Sequence, residues 1–179
     1  HVLGVVMAGT DSLRIKIFAD GADLDGIAKL YRNPLIKGFT TNPSLLKKAG
    51  VKDYAAYGRD LVSAVPDRHI SFEVFSDDIP EMVAQARVIT TWGKNVYVKL
   101  PVSNTRGETL FDAVRSLSAD GVKINLTAIF AADQVKRAMD ALEPLMSRSG
   151  ATTSTSWCSA SAPASADNPG AVMPSSFVT

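Results

Sequence analysis

Val96-Tyr97-Val98-Lys99-Leu100-Pro101-Val102 is the stretch from which the rest of the chain is read. Alternation along a strand sends Val96, Val98 and Leu100 to one face and Tyr97 and Lys99 to the other, and Pro101 ends the ladder just after Lys99. A lysine therefore sits near the carboxyl end of a hydrophobic strand. Lysine is avoided in strands and is costly to desolvate, so two outcomes are open. One is a solvated edge position. The other is a buried amine that loses its proton more readily and can attack a carbonyl carbon to form a Schiff base. Which applies depends on the neighbouring strands.

Outward from this stretch the chain repeats one grammar. Strands are expected over residues 14–20, 35–41, 69–76 and 122–127 as well. Between them lie amphipathic helices. One, capped by Asp23, carries Leu24, Ile27, Ala28 and Tyr31; a short one follows Asn42-Pro43 and closes at Gly50; a longer one carries Tyr54, Tyr57, Leu61, Val62 and Val65. Further on, Asp77 or Asp78 caps a helix with Ile79, Met82, Val83, Ala86 and Ile89. Leu110, Ala113, Val114 and Leu117 mark the inward face of the next helix. The last is expected to turn Val135, Met139 and Leu142 inward and to stop near Pro144.

Five strand–helix units in a row imply parallel βαβ connections, hence an open doubly wound sheet or a closed barrel. A doubly wound sheet is covered by helices on both faces and should be apolar on both. Here one face of each strand is mixed: Lys16, Phe18 and Asp20; Gly38, Thr40 and Asn42; Ser71, Glu73 and Phe75; Tyr97 and Lys99; Lys123, Asn125 and Thr127. The other face is nearly all Val, Ile, Leu, Phe and Ala. A barrel accounts for both, one face lying under a ring of helices and the other lining an interior whose carboxyl end holds the site. The fold expected is α/β, of the (β/α)8 TIM-barrel family, with about five βα units present.

Composition narrows the function. The chain has 179 residues, 46% of them hydrophobic and 21% charged, with a formal net charge of +1, enough for one sizeable core. Basic residues are scattered, the most obvious pair being Lys47-Lys48, so neither nucleic acid nor an anionic membrane is an expected partner. No run approaches the roughly 18 apolar residues of a membrane span. A lone cysteine, Cys158, allows no internal disulfide framework and no cysteine-rich zinc site, which suits a reducing cytoplasm; His1 and His69 cannot make a metal cluster by themselves. Residues 1–13 read as an irregular extension in which Met7 looks like the true start, and residues 14–146 as the partial barrel. Residues 147–179, rich in Ser, Ala, Thr and Pro, read as a disordered or wrongly translated tail, with a frameshift expected close to Met146.

Five strands that concentrate polar groups at one end suit carbonyl chemistry on a polyol. An amine forms a carbinolamine and then an imine, one carboxylate shuttles protons to and from water, and another takes the proton of the hydroxyl whose C–C bond breaks. Asparagine amides, which both donate and accept, suit sugar hydroxyls. An Asn42 standing alone reads first as a helix cap.

Three segments resemble the signatures of the transaldolases, class I aldolase-type barrels of the pentose phosphate pathway: Gly38-Phe39-Thr40-Thr41-Asn42-Pro43-Ser44, Val98-Lys99 and Lys123-Ile124-Asn125-Leu126-Thr127. The resemblance covers roughly residues 14–144. It implies Lys99 as Schiff-base nucleophile, Asp20 as acid/base for aldol cleavage, Glu73 as a proton shuttle acting through water and Thr127 as a holder of that water. Asn42, Asn125 and Thr40 would bind substrate. It further implies transfer of a dihydroxyacetone unit between sugar phosphates with no metal or organic cofactor. The related fructose 6-phosphate aldolases carry an amide where Glu73 stands, so the carboxylate favours transfer over plain cleavage. Past the fifth helix the chain departs from the family, which continues with a serine and an arginine that bind phosphate. Weak activity or none is therefore expected of the chain as written, and its open sheet edges imply self-association into a homo-oligomer or aggregate. The readings that compete are a fructose 6-phosphate aldolase-type lyase and a non-catalytic βα-repeat fragment that binds a ligand or partner.

Overall fold

The computed structural model describes residues 16–149. Within them strands and helices alternate: β1 (Ile17–Asp20), α1 (Leu24–Tyr31), β2 (Ile36–Thr40), α2 (Pro43–Lys48), α3 (Tyr54–Ala64), β3 (His69–Glu73), α4 (Ile79–Thr90), β4 (Val96–Pro101), α5 (Phe111–Ala119), β5 (Ile124–Thr127) and α6 (Ala132–Ser149). All strand pairs are parallel, and their order in the sheet is their order in the chain. A doubly wound sheet reverses its order at a switch point. This one never does, and it is a five-stranded piece of a (β/α)8 barrel.

The starts of α1 to α4 are written locally. Asp23, Asn42, Asp53 and Asp78 each accept a hydrogen bond from a backbone N–H three residues on, at 2.8, 2.9, 2.9 and 3.2 Å, satisfying one of the first-turn donors that no helical carbonyl reaches. The choice left open between Asp77 and Asp78 falls to Asp78. Asp77 instead accepts from the backbone N–H and hydroxyl of Thr105 at 2.8 and 2.5 Å, tying the loop after β3 to the loop after β4.

Helices cover one face of the sheet. Phe39, Ile70, Phe72, Val96, Val98, Leu100, Ile124 and Leu126 from the strands pack against Leu61, Met82, Ala86, Ile89, Val114 and Leu117 from the helices. The opposite face is the barrel interior, and cross-strand register stacks it in layers. At the bottom, Gly38 pairs with Phe18 and His69. A methyl group at Gly38 would stand 2.3 Å from the Phe18 ring and 2.6 Å from the His69 carbonyl oxygen, so only glycine lets the aromatic floor close. Above lies the row Asp20, Thr40, Ser71 and Tyr97, and above that Glu73, Lys99 and Asn125. Asn125 on β5 donates through Nδ2 to Ser71 Oγ on β3 at 3.1 Å, across the face of β4. Strands two apart in a flat sheet lie about 9.6 Å apart, and their side chains meet here because the sheet is concave on this side.

Two expectations about α6 fail. Val135 and Met139 do not face inward; they are 40% and 54% exposed, and the buried residues are Ala138, Ala141 and Leu142. Alanines allow α6 to lie close on α5, and that contact, rather than the largest apolar side chains, sets its inner face. Nor does the helix stop near Pro144; it runs on to Ser149. Proline removes the N–H that would bond the carbonyl four residues back, here that of Asp140. The Arg115 guanidinium from α5 supplies the lost donor to Asp140 O at 3.0 Å. The helix also takes in residues 147–149 of the expected irregular tail. The remainder of that tail and the 1–13 extension lie outside the described residues, as do residues 14 and 15 of the expected first strand. Among the described residues no helix is long and apolar enough to cross a membrane.

Candidate functional site

The upper interior rows build the site. Lys99 is carried by the interior strand β4, flanked by β3 and β5, so its side chain cannot reach solvent sideways; the residue is only 7% exposed. Its register partners are Glu73 and Asn125. Lys99 Nζ lies 3.0 Å from Glu73 Oε2. Of the two positions open to a strand lysine, the solvated edge is excluded and the buried one is found.

Burial raises the pKa of Glu73 above the usual carboxylate value. The Lys99 ammonium pulls it back through its charge and its hydrogen bond, and the negative charge of Asp20 adds to the rise. Desolvation exceeds the pull of the partner, which leaves a carboxyl group able to hold a proton closer to neutrality than an ordinary glutamate.

The other expected residues arrange around this pair. Asp20, exposed at the end of β1, accepts a hydrogen bond from the Thr40 hydroxyl at 3.0 Å. Those two therefore form one unit beside the pair, within electrostatic reach of Glu73. Asn125 is 5% exposed; its Nδ2 is held by Ser71, and its Oδ1 is buried without a hydrogen-bond partner. A buried acceptor of that kind costs about 1–3 kcal/mol unless something donates to it, so a ligand hydroxyl would be welcomed there. Asn42 caps α2, its side-chain oxygen accepting from Leu45 N at 2.9 Å, which commits that oxygen to the helix. Thr127 is buried one register step above Asn125 and donates its hydroxyl to the Leu100 carbonyl at 3.3 Å. Lys99, Glu73 and Asn125 are thus in one row, Asp20 and Thr40 in the row below, and Asn42 and Thr127 at the rim.

Two residues with a part in this geometry were missed as candidates. Ser71 lies two positions before Glu73 on the same strand, so period-2 alternation places it under the site. Tyr54, 2% exposed on α3, donates its hydroxyl to the Glu73 backbone carbonyl at 3.0 Å; helical periodicity marks it only as core. Farther along, Gln85 Oε1 accepts from the backbone N–H groups of Phe75 and Ser76 at 2.8 and 3.2 Å, pinning the loop that leaves β3.

A family model described as Transaldolase/Fructose-6-phosphate aldolase matches residues 17–178. Among named relatives, a protein called "Probable transaldolase" from Dehalococcoides mccartyi is 35% identical over 120 residues, 67% of this chain and 54% of that protein. "Probable transaldolase" of a Thermoanaerobacter species is 38% identical over 138 residues, 77% of this chain and 57% of that protein. "Probable transaldolase 1" of Listeria monocytogenes is also 38% identical over 138 residues, covering 77% of this chain and 58% of its own. The chain spans about half the length of the curated relatives it matches.

Proposed function

The chain belongs to the transaldolase/fructose-6-phosphate aldolase family, and from that premise we propose that its site performs transaldolase chemistry through a Schiff base on Lys99, moving a dihydroxyacetone unit from a ketose phosphate to an aldose phosphate. The observation that carries the reading is the buried Lys99 with its amine 3.0 Å from Glu73. A nucleophilic amine needs a nearby base to take its proton, and Glu73 has both the position and the raised pKa for that task.

The steps follow from those residues. Lys99 Nζ, having passed a proton to Glu73, attacks the ketose carbonyl carbon, and the carbonyl oxygen becomes the hydroxyl of a carbinolamine. Glu73 returns the proton, through water that Thr127 helps to hold, as that hydroxyl leaves and the iminium forms. Asp20 accepts the proton of the substrate hydroxyl next to the scissile C–C bond. The bond's electron pair flows into the iminium, leaving an enamine on Lys99 and releasing the aldose. The enamine carbon then attacks the acceptor aldehyde, and hydrolysis of the new iminium frees Lys99. Asn125 and Asn42 hold the hydroxyls of the three-carbon unit, and Thr40 keeps Asp20 aligned through their 3.0 Å hydrogen bond. The substrates are small sugar phosphates, and the lone cysteine agrees with work in a reducing cytoplasm.

Borohydride reduction in the presence of fructose 6-phosphate, followed by peptide mapping, tests the reading. Stable label is expected on Lys99 and none in the Lys99→Met variant; label scattered over the surface lysines, or absent, sinks it. Release of glyceraldehyde 3-phosphate only when erythrose 4-phosphate is present marks transfer, and release without acceptor marks the aldolase reaction instead.

A further inference from the structure

We propose that Tyr54 is a positioning residue for Glu73, its phenol replacing a backbone donor that the chain lacks at the carboxyl end of β3. The inference rests on the catalytic role given to Glu73 above, but its structural part stands on the ladder between β2 and β3.

Thr40 pairs with Ser71, and the Thr41 N–H donates to the Ser71 carbonyl at 3.0 Å. In a parallel ladder the next donor on the same strand is two residues on and bonds the carbonyl two residues on in its partner. Those are residue 43 and Glu73. Residue 43 is proline, which starts α2 at its first helical position and has no N–H. The Glu73 carbonyl would be left without its ladder bond at the point where β2 turns into a helix. Tyr54 fills the gap, donating from α3 to Glu73 O at 3.0 Å.

The phenol is well placed for that task. It is buried, and burial pushes its pKa well up, so it remains a protonated donor. Its hydroxyl is also hydrogen-bonded to the Thr41 side chain, which joins the end of β2 to the end of β3. The ring is clamped edge-on by Phe72, Phe75 and Trp92, with centroids 6.0, 4.6 and 5.1 Å away. On the far side of Glu73, Val74 N donates to the Lys99 carbonyl at 3.3 Å. The backbone on either side of the Glu73 side chain is therefore tied, one bond to β4 and one to Tyr54. The charged groups acting on the Glu73 carboxyl are Lys99 from β4 and Asp20 from β1.

Tyr57, three residues on in α3, supplies a matched control: its hydroxyl is buried with no hydrogen-bond partner, so Tyr57→Phe removes the same atom without removing a bond. Two quantities are to be measured for the wild-type 179-residue chain, Tyr54→Phe and Tyr57→Phe: titration of the Glu73 carboxyl by carbon-13 NMR, and the pH profile of borohydride trapping on Lys99 with fructose 6-phosphate. With the strand end untied, water reaches the Glu73 carboxyl; its titration moves down toward the ordinary glutamate range and the trapping profile moves with it, while Tyr57→Phe tracks wild type. Tyr54→Phe that folds and titrates like wild type overturns the proposal. If Tyr54→Phe does not fold, adding Pro43→Ala restores a backbone donor; recovery of fold and of wild-type Glu73 titration supports the proposal, and no recovery overturns it. Should wild type show no label on Lys99, the catalytic reading fails, and the titrations still decide the role of Tyr54.

Discussion

A buried lysine beside a carboxylate whose pKa is raised has a consequence for stability as well as chemistry. The folded protein holds the Glu73 proton more tightly than the unfolded chain does, because burial outweighs the pull of Lys99. Between the ordinary glutamate value of about 4.3 and the raised folded value, the native state therefore binds more protons than the unfolded state, and stability falls as pH rises. Glu73's contribution is fully present below the unfolded value and is lost as pH passes through the folded one. Glutamine cannot titrate, and every other group is common to both proteins. The urea midpoint of wild type minus that of Glu73→Gln is expected to shrink as pH is raised from 4 to 7; a difference that stays constant contradicts the desolvation account. At this scale the sequence was readable wherever alternation alone decided. Lys99, Glu73 and Asn125 are on the mixed face because each strand has period 2. That Glu73 and Asn125 are the two partners of Lys99, and that Ser71 holds Asn125, depends on register, which no single strand encodes.

Among the elements, α2 is the one whose start serves two purposes. Asn42 caps it through the side-chain oxygen, while the proposed function assigns its amide nitrogen to a substrate hydroxyl. Substitution separates the two. Asn42→Ala removes the cap and is expected to cost about 1 kcal/mol of unfolding free energy. Asn42→Asp keeps an acceptor for the Leu45 N–H and should stay within a few tenths of a kcal/mol of wild type, yet both should lose borohydride trapping. Equal stability of all three in urea titration would show that the cap contributes nothing. Helix starts were legible because Asp23, Asn42, Asp53 and Asp78 each act within three residues of themselves. The far end of α6 was not. Pro144 reads locally as a stop, and what overrides it is Arg115, on another helix, bonding the Asp140 carbonyl. The inner face of α6 was misread for a similar reason, since closeness to α5 favours Ala138 and Ala141 over the larger Val135 and Met139.

For the molecule as a whole, β1 and β5 each pair on one side only among the described residues. Next to β5, Phe130, Val135 and Met139 are 70%, 40% and 54% exposed, large apolar side chains in solvent beside a strand paired on one side only. Such an edge promotes association. Sedimentation of the wild-type chain is expected to show concentration-dependent association that Met139→Lys weakens. The unfolding free energy should change by no more than about 0.5 kcal/mol, as is usual for an exposed site. Identical sedimentation of the two would locate the association elsewhere.

The sheet's spatial order repeats its order in the chain, and this bears on how the molecule comes into being. During synthesis each described strand after β1 finds a neighbour already made, and the chain-closure cost of each such pairing stays low. The site is assembled on the same timetable. Glu73 and Lys99 can meet as soon as β4 leaves the ribosome, while the Asn125–Ser71 bond beneath them must wait for β5. A nascent chain halted between those two strands would already contain the Lys99–Glu73 pair, open to solvent on one flank.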